Sequence, residues 1–432
     1  MKHKMFLLFL FALLQTVKSQ TAESDTVWVK KIGSEVKAVK FSPDGQFIYA
    51  GAVGRKLMKL STETGEILRE YEGVTIDLNA RYIPLDISSD GTFLISGDYD
   101  NKMIVWDAQT GNILKTLNTN YSNNQNNKFN VVSISKDMRY VIATNMYWQS
   151  SEIFVNSLLI WDYQSGELLK EIQSRHLTKV EISPDNQYFA VSYERSEGST
   201  ILPSEIDLYE MGTWNKVITL GKHETKVSDI SFSSDGSLLA SCGWDGIIKI
   251  WDVEQKNMVR EIKDELYGYS VGFIDNNKII YGGGFFDQKF MKIFDIPSNV
   301  LLGKLKIDHP VDMDINNSKH FCVVANSDYI LLFDYLSLIT GINESDTNGK
   351  DLIKPNPTNN ICEINFFLPL SGEIIVSILD ANSREIKILY NDFLEKGEHK
   401  FQWIPKGVSS GVYYCRITGN NFSKTLKIIL EK

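Results

Sequence analysis

The stretch Phe232-Ser-Ser-Asp-Gly-Ser-Leu-Leu-Ala-Ser-Cys-Gly-Trp-Asp-Gly-Ile-Ile-Lys-Ile-Trp-Asp252 recurs along the chain in degenerate form. An apolar residue ahead of a polar turn appears at Phe41, Ile87, Ile134, Ile182, Phe232, Phe273 and Ile315, with spacings of 46, 47, 48, 50, 41 and 42. A second anchor, large and apolar and usually followed by an acid, falls at Leu60, Trp106, Trp161, Tyr209, Trp251, Phe294 and Phe333. Its spacings are 46, 55, 48, 42, 43 and 39. Both ladders give seven units, and a period of this length means stacked supersecondary units.

Within one unit the pattern is that of strands. Val227 to Phe232 alternates, and Ser234-Asp235-Gly236 supplies turn residues that tolerate positive φ. Leu238 to Ser241 reads as a strand buried on both faces, Trp244-Asp245-Gly246 as a second turn and Ile247 to Trp251 as a third strand. Met258 to Ile262 makes a fourth. Such a four-stranded blade cannot bury both faces alone, so seven of them stack around a channel. The seventh unit lacks a fourth strand, which Val27 to Ile32 is expected to supply, leaving no open edge; Leu336 to Ile339 is the alternative.

The fold class expected is all-β: a seven-bladed propeller over 26–336, a linker over 337–354 and a small immunoglobulin-like β-sandwich over 355–432. The sandwich is read from short alternating segments between Cys362 and Leu430 at roughly ten-residue spacing.

The propeller units resemble WD repeats through Trp106-Asp107, Trp161-Asp162 and Trp251-Asp252, with Tyr209-Glu210, Phe294-Asp295 and Phe333-Asp334 as degenerate equivalents. The resemblance implies a structural hydrogen-bonded tetrad, matched in unit five by His223, Ser241, Asp245 and Trp251. Unit two offers Ser96, Asp100 and Trp106 without the histidine.

The last 78 residues resemble the C-terminal sorting domain of the bacterial type IX secretion system. The resemblance rests on Pro355-Asn356-Pro357, Gly397-Glu398-His399 with Trp403, Ser410-Gly411-Val412-Tyr413-Tyr414 and a closing strand ending in Lys432. It implies export to the cell surface or medium, with residues 355–432 recognised by the secretion machinery. Ser383 and Ile353-Lys354 depart from the family pattern.

Residues 1–19 read as a signal peptide. Lys2 and Lys4 precede the apolar run Met5 to Leu14, and Val17-Lys18-Ser19 is a small-x-small site with cleavage between Ser19 and Gln20. Ten apolar residues span about half a bilayer core, so a transmembrane helix is not expected in the mature chain. Loss of Lys2, Lys4 and Lys18 takes the formal net charge from −9 to −12. With no basic run longer than two residues, nucleic acid and anionic membrane are poor partners.

The four cysteines show no zinc spacing, and neither metal nor cofactor is expected. Cys242 and Cys322 fall in units that are not neighbours and read as buried thiols. Cys362 and Cys415 both turn inward in the C-terminal module, which leaves open whether they are bridged.

No nucleophile elbow, zincin motif, phosphate loop or calcium loop occurs. Asp44, Asp90, Asp137, Asp185 and Asp235 occupy equivalent turns, and turn chemistry accounts for them. Gly282-Gly283-Gly284 reads as a loop between strands. Nothing in the sequence shows charged residues converging on the channel.

The period stretches at 118–130, 146–156, 194–204 and 283–289. Connections from blade to blade, and from second to third strand, emerge on one face. These segments carry Tyr121, Tyr147, Trp148, Phe154, Phe285 and Phe286, and Trp244 sits in the matching turn of unit five. Aromatic loop residues offer large contact area at low entropic cost. The expected function is a non-catalytic scaffold that binds an extracellular protein or glycan through this face. A secreted hydrolase or lyase and a structural surface-layer component are the alternatives.

Overall fold

The computed structural model describes residues 26–340, except 55–56, 73–83, 98–102, 120–127, 149–153, 175–176, 198–199, 265–266, 286–287 and 308–309. It also describes 352–354, 361–368, 372–381, 384–395, 397–419 and 422–431. The Ser19–Gln20 cleavage site, Tyr121, Phe286, Asp100, Pro355-Asn356-Pro357 and Lys432 lie outside the described residues.

Within 26–334 the described residues form seven four-stranded antiparallel sheets. In blade five the strands are Val227–Phe232, Leu238–Gly243, Ile247–Asp252 and Asn257–Lys263, paired in sequence order. The innermost strands touch one another in the order one to seven and back to one, which is the signature of a closed ring. Closure uses the N-terminal strand Thr26–Lys31, which pairs with Tyr329–Asp334 in blade seven through Val29↔Leu331 and Lys31↔Tyr329. Leu336 to Ile339, the alternative donor, lies instead in a short helix, Tyr335–Thr340.

Both repeat anchors have one physical origin. Each blade packs its two anchors into a buried cluster shared with the preceding blade. Phe41 and Leu60 lie with Val323 and Leu332 of blade seven. Trp106 lies with Tyr49 and Tyr71, Trp161 with Phe93 and Ile95, and Trp251 with Ala190 and Leu208. Tyr209, Phe294 and Phe333 repeat the arrangement. Burial of such side chains against a neighbour, at roughly 1.5–3 kcal/mol each, is why an isolated blade would not persist.

The repeated acids sit in the hairpin between first and second strands. Ser42, Ser88, Ser135, Ser183 and Ser233 donate their hydroxyls to Asp44, Asp90, Asp137, Asp185 and Asp235 at 2.5–2.7 Å. The following turn position has positive φ, filled by Gly45, Gly91, Met138, Asn186 and Gly236. At Asp235, the Ser237 N–H, opposed by partial burial and joined by the Ser233, Asn276 and Ser237 side chains, holds the carboxyl well below the usual range.

Several segments differ from the sequence reading. The stretch 146–156 is no open loop across its ends: Tyr140–Trp148 and Phe154–Asp162 continue pairing out to Trp148↔Phe154. The 194–204 insertion carries its own hairpin, Arg195–Glu197 with Thr200–Leu202. Gly282, Gly283 and Gly284 belong to the strand Lys278–Phe285. A Cβ on Gly282 would stand 2.4 Å from the Ser270 hydroxyl, so the glycine permits close approach of neighbouring strands.

The linker reading also changes at both ends. Leu352–Lys354 pairs with Cys362–Leu368, and the helix Tyr335–Thr340 packs Leu338 against Gly303 of blade six. The C-terminal module has a three-stranded sheet (352–354, 362–368, 397–403) and a four-stranded sheet (385–394, 372–380, 411–419, 422–430). Cys362, Ile364, Phe366, Trp403, Tyr413, Cys415 and Ile417 belong to one core.

Candidate functional site

Three regions gather chemistry, and the first was not expected from the sequence. The channel holds a cavity of about 410 Å³ lined by the innermost strands. Contrary to the expectation above, charged residues do converge there: Lys40, Asp86, Lys179, Glu181, Asp229, Asp312 and Asp314. An innermost strand presents a backbone edge to the channel, and such an edge needs partners. The acids supply them from one blade to the next. Asp312 and Asp314 of blade seven accept from the Val39 and Phe41 N–H groups of blade one at 3.0 and 2.7 Å. Asp86 accepts from Ile134 (2.8 Å), Ser133 from Ile182 (3.2 Å), Glu181 from Phe232 (3.2 Å) and Asp229 from Val271 (3.0 Å). Side-chain oxygens therefore lace successive inner strands together.

The two lysines balance this belt. Lys179 reaches Asp229 at 3.1 Å and, across the channel, Asp312 at 3.7 Å. Burial would lower the pKa of Lys40, but Asp314, Asp86, Asp312 and Glu181 outweigh it and raise it overall. Burial raises the carboxyls of Asp86, Asp229 and Asp314. It pushes Glu181 up to about 8, against the pull of Lys40. A carboxyl raised in the fold stabilises the protein while protonated, and that contribution is lost as pH rises from about 4.5 to about 8. Glu181→Gln keeps an acceptor for Phe232 N–H and removes this loss. The variant should match the parent near pH 4 and exceed its stability by on the order of 5 kcal/mol at pH 9. Thermal melts across that range check it, and parallel profiles would refute it.

Blade five contains a second polar constellation. The His223 Nδ1 lies 3.0 Å from both Asp245 oxygens, and its Nε2 lies 2.9 Å from Ser241 Oγ. Trp251 Nε1–H donates to the same hydroxyl at 3.0 Å. An Asp-His-Ser order invites a nucleophile reading, but His223 and Ser241 are completely buried, so no substrate reaches the hydroxyl. Burial opposes ionisation of Asp245, yet the His223 ring and the Glu224 and Ile247 amides hold its carboxyl low. In blade two Trp106 donates to Ser96 at 2.9 Å. In blade three Trp161 uses the Asn118 carbonyl instead.

The connecting face is the third region. Where second strands end and third strands begin, the backbone bonds the segments that lead into the same blades: Val53 N–H to Glu35 O, Trp244 N–H to Lys226 O and Gly284 N–H to Tyr267 O. Those connections therefore share one face. Trp244 stacks on Tyr267 (5.6 Å, 21°), and Tyr267 meets Phe285 edge-on (5.1 Å, 89°). Lys226 lies 5.5 Å from the Trp244 ring and pairs with Glu194 at 3.1 Å. This line crosses blades four to six. Trp244 lies against both Lys226 and Tyr267, whereas Tyr267 and Phe285 are 37% and 44% exposed. Trp244 and Phe285 are among the residues expected from the sequence; Tyr267 and Lys226 are not, because they lead into strands where the period does not stretch. Tyr147, Trp148 and Phe154 lie at the end of the extended blade-three hairpin, and their side chains fall outside the described ones.

Comparison with known proteins agrees with this architecture. The WD domain, G-beta repeat family model matches residues 85–107 and 214–252, and the secretion system C-terminal sorting domain model matches 353–431. The chain carries WD repeats and a C-terminal sorting domain. The chain is 25% identical over 179 residues to antiviral protein SKI8 of Saccharomyces cerevisiae, covering 37% of this chain and 44% of that one. It is 29% identical over 90 residues to small ribosomal subunit protein RACK1 of Brassica napus (21% and 27%). It is 42% identical over 57 residues to periodic tryptophan protein 2 homolog of Schizosaccharomyces pombe (13% and 7%). The alignments span less than half of each relative. WD repeats suggest a protein-binding scaffold, and the sorting domain indicates export through the type IX secretion system. Among the described residues no helix is long and apolar enough to cross a membrane, and no group of side chains is arranged to hold a metal ion.

Proposed function

We propose that this WD-repeat propeller is a non-catalytic scaffold at the bacterial cell surface or in the medium, binding a protein or glycan through its connecting face. The observation that carries this reading is the continuous Lys226–Trp244–Tyr267–Phe285 array across adjacent blades. Ring contacts hold Trp244, Tyr267 and Phe285 in place while Tyr267 and Phe285 stay exposed, which lowers the entropic cost of engaging a ligand. The channel acids speak for the other class, an enzyme, since convergent carboxylates can do acid–base work. Each of Asp86, Glu181, Asp229, Asp312 and Asp314, however, already accepts a backbone amide.

The test is capture of surface proteins and binding to an array of extracellular glycans by the purified chain. Tyr267→Ala with Phe285→Ala should weaken captured interactions tenfold or more, equivalent to about 1.4 kcal/mol, while melting temperature holds. Unchanged binding by the double variant would overturn the assignment of this face. Turnover abolished by Glu181→Gln would favour the enzyme.

A further inference from the structure

We propose that Cys362 and Cys415 form a disulfide that staples the two sheets of the sorting domain when the chain folds in an oxidising compartment. Cys362 stands in the three-stranded sheet and Cys415 in the four-stranded one, and both are fully buried in the same core. The cross-sheet contact beside them is close. Trp403 is directly opposite Cys362 in register, and its ring lies 5.3 Å from that of Tyr413. Tyr413 is two residues from Cys415 and so shares its face of the strand. The structure holds both as thiols. Burial raises the Cys415 thiol, and Cys362 raises it further. Cys242 and Cys322 cannot compete, because they are buried in blades five and seven with blade six between them.

The chemistry is thiol–disulfide exchange with a disulfide donor such as oxidised glutathione or a thiol oxidoreductase. One cysteine thiolate attacks a donor sulfur, forming a mixed disulfide and releasing one donor thiolate. The second cysteine thiolate then attacks the protein-side sulfur and releases the other. Two protein thiols give up two protons and two electrons, and the donor becomes two thiols. Buried thiols with raised pKa are inert, so the bond has to form before the domain closes.

The full chain is unfolded under reduction and refolded with either reduced or oxidised glutathione; thiols are counted after denaturation and the peptides mapped. Four thiols are expected in the reduced arm. Two are expected in the oxidised arm, with one cross-linked peptide joining Cys362 to Cys415. Adding oxidised glutathione to the already folded, reduced chain should leave four. Cys362→Ser and Cys415→Ser should each trap a glutathione adduct on the remaining partner when refolded with the donor. Four thiols after oxidative refolding, a bridge to Cys242 or Cys322, or stable adducts on both cysteines of the parent chain would overturn the proposal.

Discussion

Asp314→Ala is expected to destabilise the propeller by about 3 kcal/mol, whereas Asp314→Asn should lose much less. The carboxylate sits at the junction of first and last blades, where Oδ2 accepts the Phe41 N–H at 2.7 Å and the charge faces Lys40. Alanine removes both an acceptor for an inner-strand amide and a counter-charge for an enclosed ammonium. Asparagine keeps an oxygen for Phe41 and loses only the charge. Denaturant unfolding of the three proteins separates the terms. Equal stability of parent and alanine variant would show that the N-terminal strand alone closes the ring. The belt matters because antiparallel pairing of Thr26–Lys31 with Tyr329–Asp334 fastens the outer part of blade seven. The Asp312 and Asp314 contacts fasten its inner edge to blade one.

Much of the architecture was legible because the two apolar anchors recur for one reason, the packing of each blade on its predecessor. Their spacing survives even where Trp is replaced by Tyr209, Phe294 or Phe333, since a large buried ring serves the same cluster. Closure was legible from the missing fourth strand of blade seven. The Ser–Asp turns were legible because positive φ and short acidic side chains go together.

The channel charges were not. They stand one or three positions before the first anchor: Lys40, Asp86, Glu181 and Asp314 in one case, Lys179, Asp229 and Asp312 in the other. Each looks like an ordinary polar member of an alternating strand. Only superposing the seven units reveals that these positions carry charge in several blades, and only the ring brings them together. The insertions misled in a different way. Extra length at 146–156 reads as loop, yet cross-strand pairing extends to Trp148↔Phe154. Tyr267 escaped notice because a single residue before Gly268 leaves no trace in the period.

The largest effect expected concerns export, the part of the account on which a surface role depends. The sorting-domain match covers 353–431, and the helix Tyr335–Thr340 belongs with the propeller through the contact of Leu338 with Gly303. A chain ending at Thr340 therefore keeps the ring intact and removes the domain. The most direct measurement follows both chains in a host with a type IX secretion system, with fractionation and protease resistance as readouts. The full chain should reach the surface or medium, and the shortened chain should stay in the periplasm as a folded, protease-resistant propeller. Equal appearance of both chains outside the cell would contradict the account.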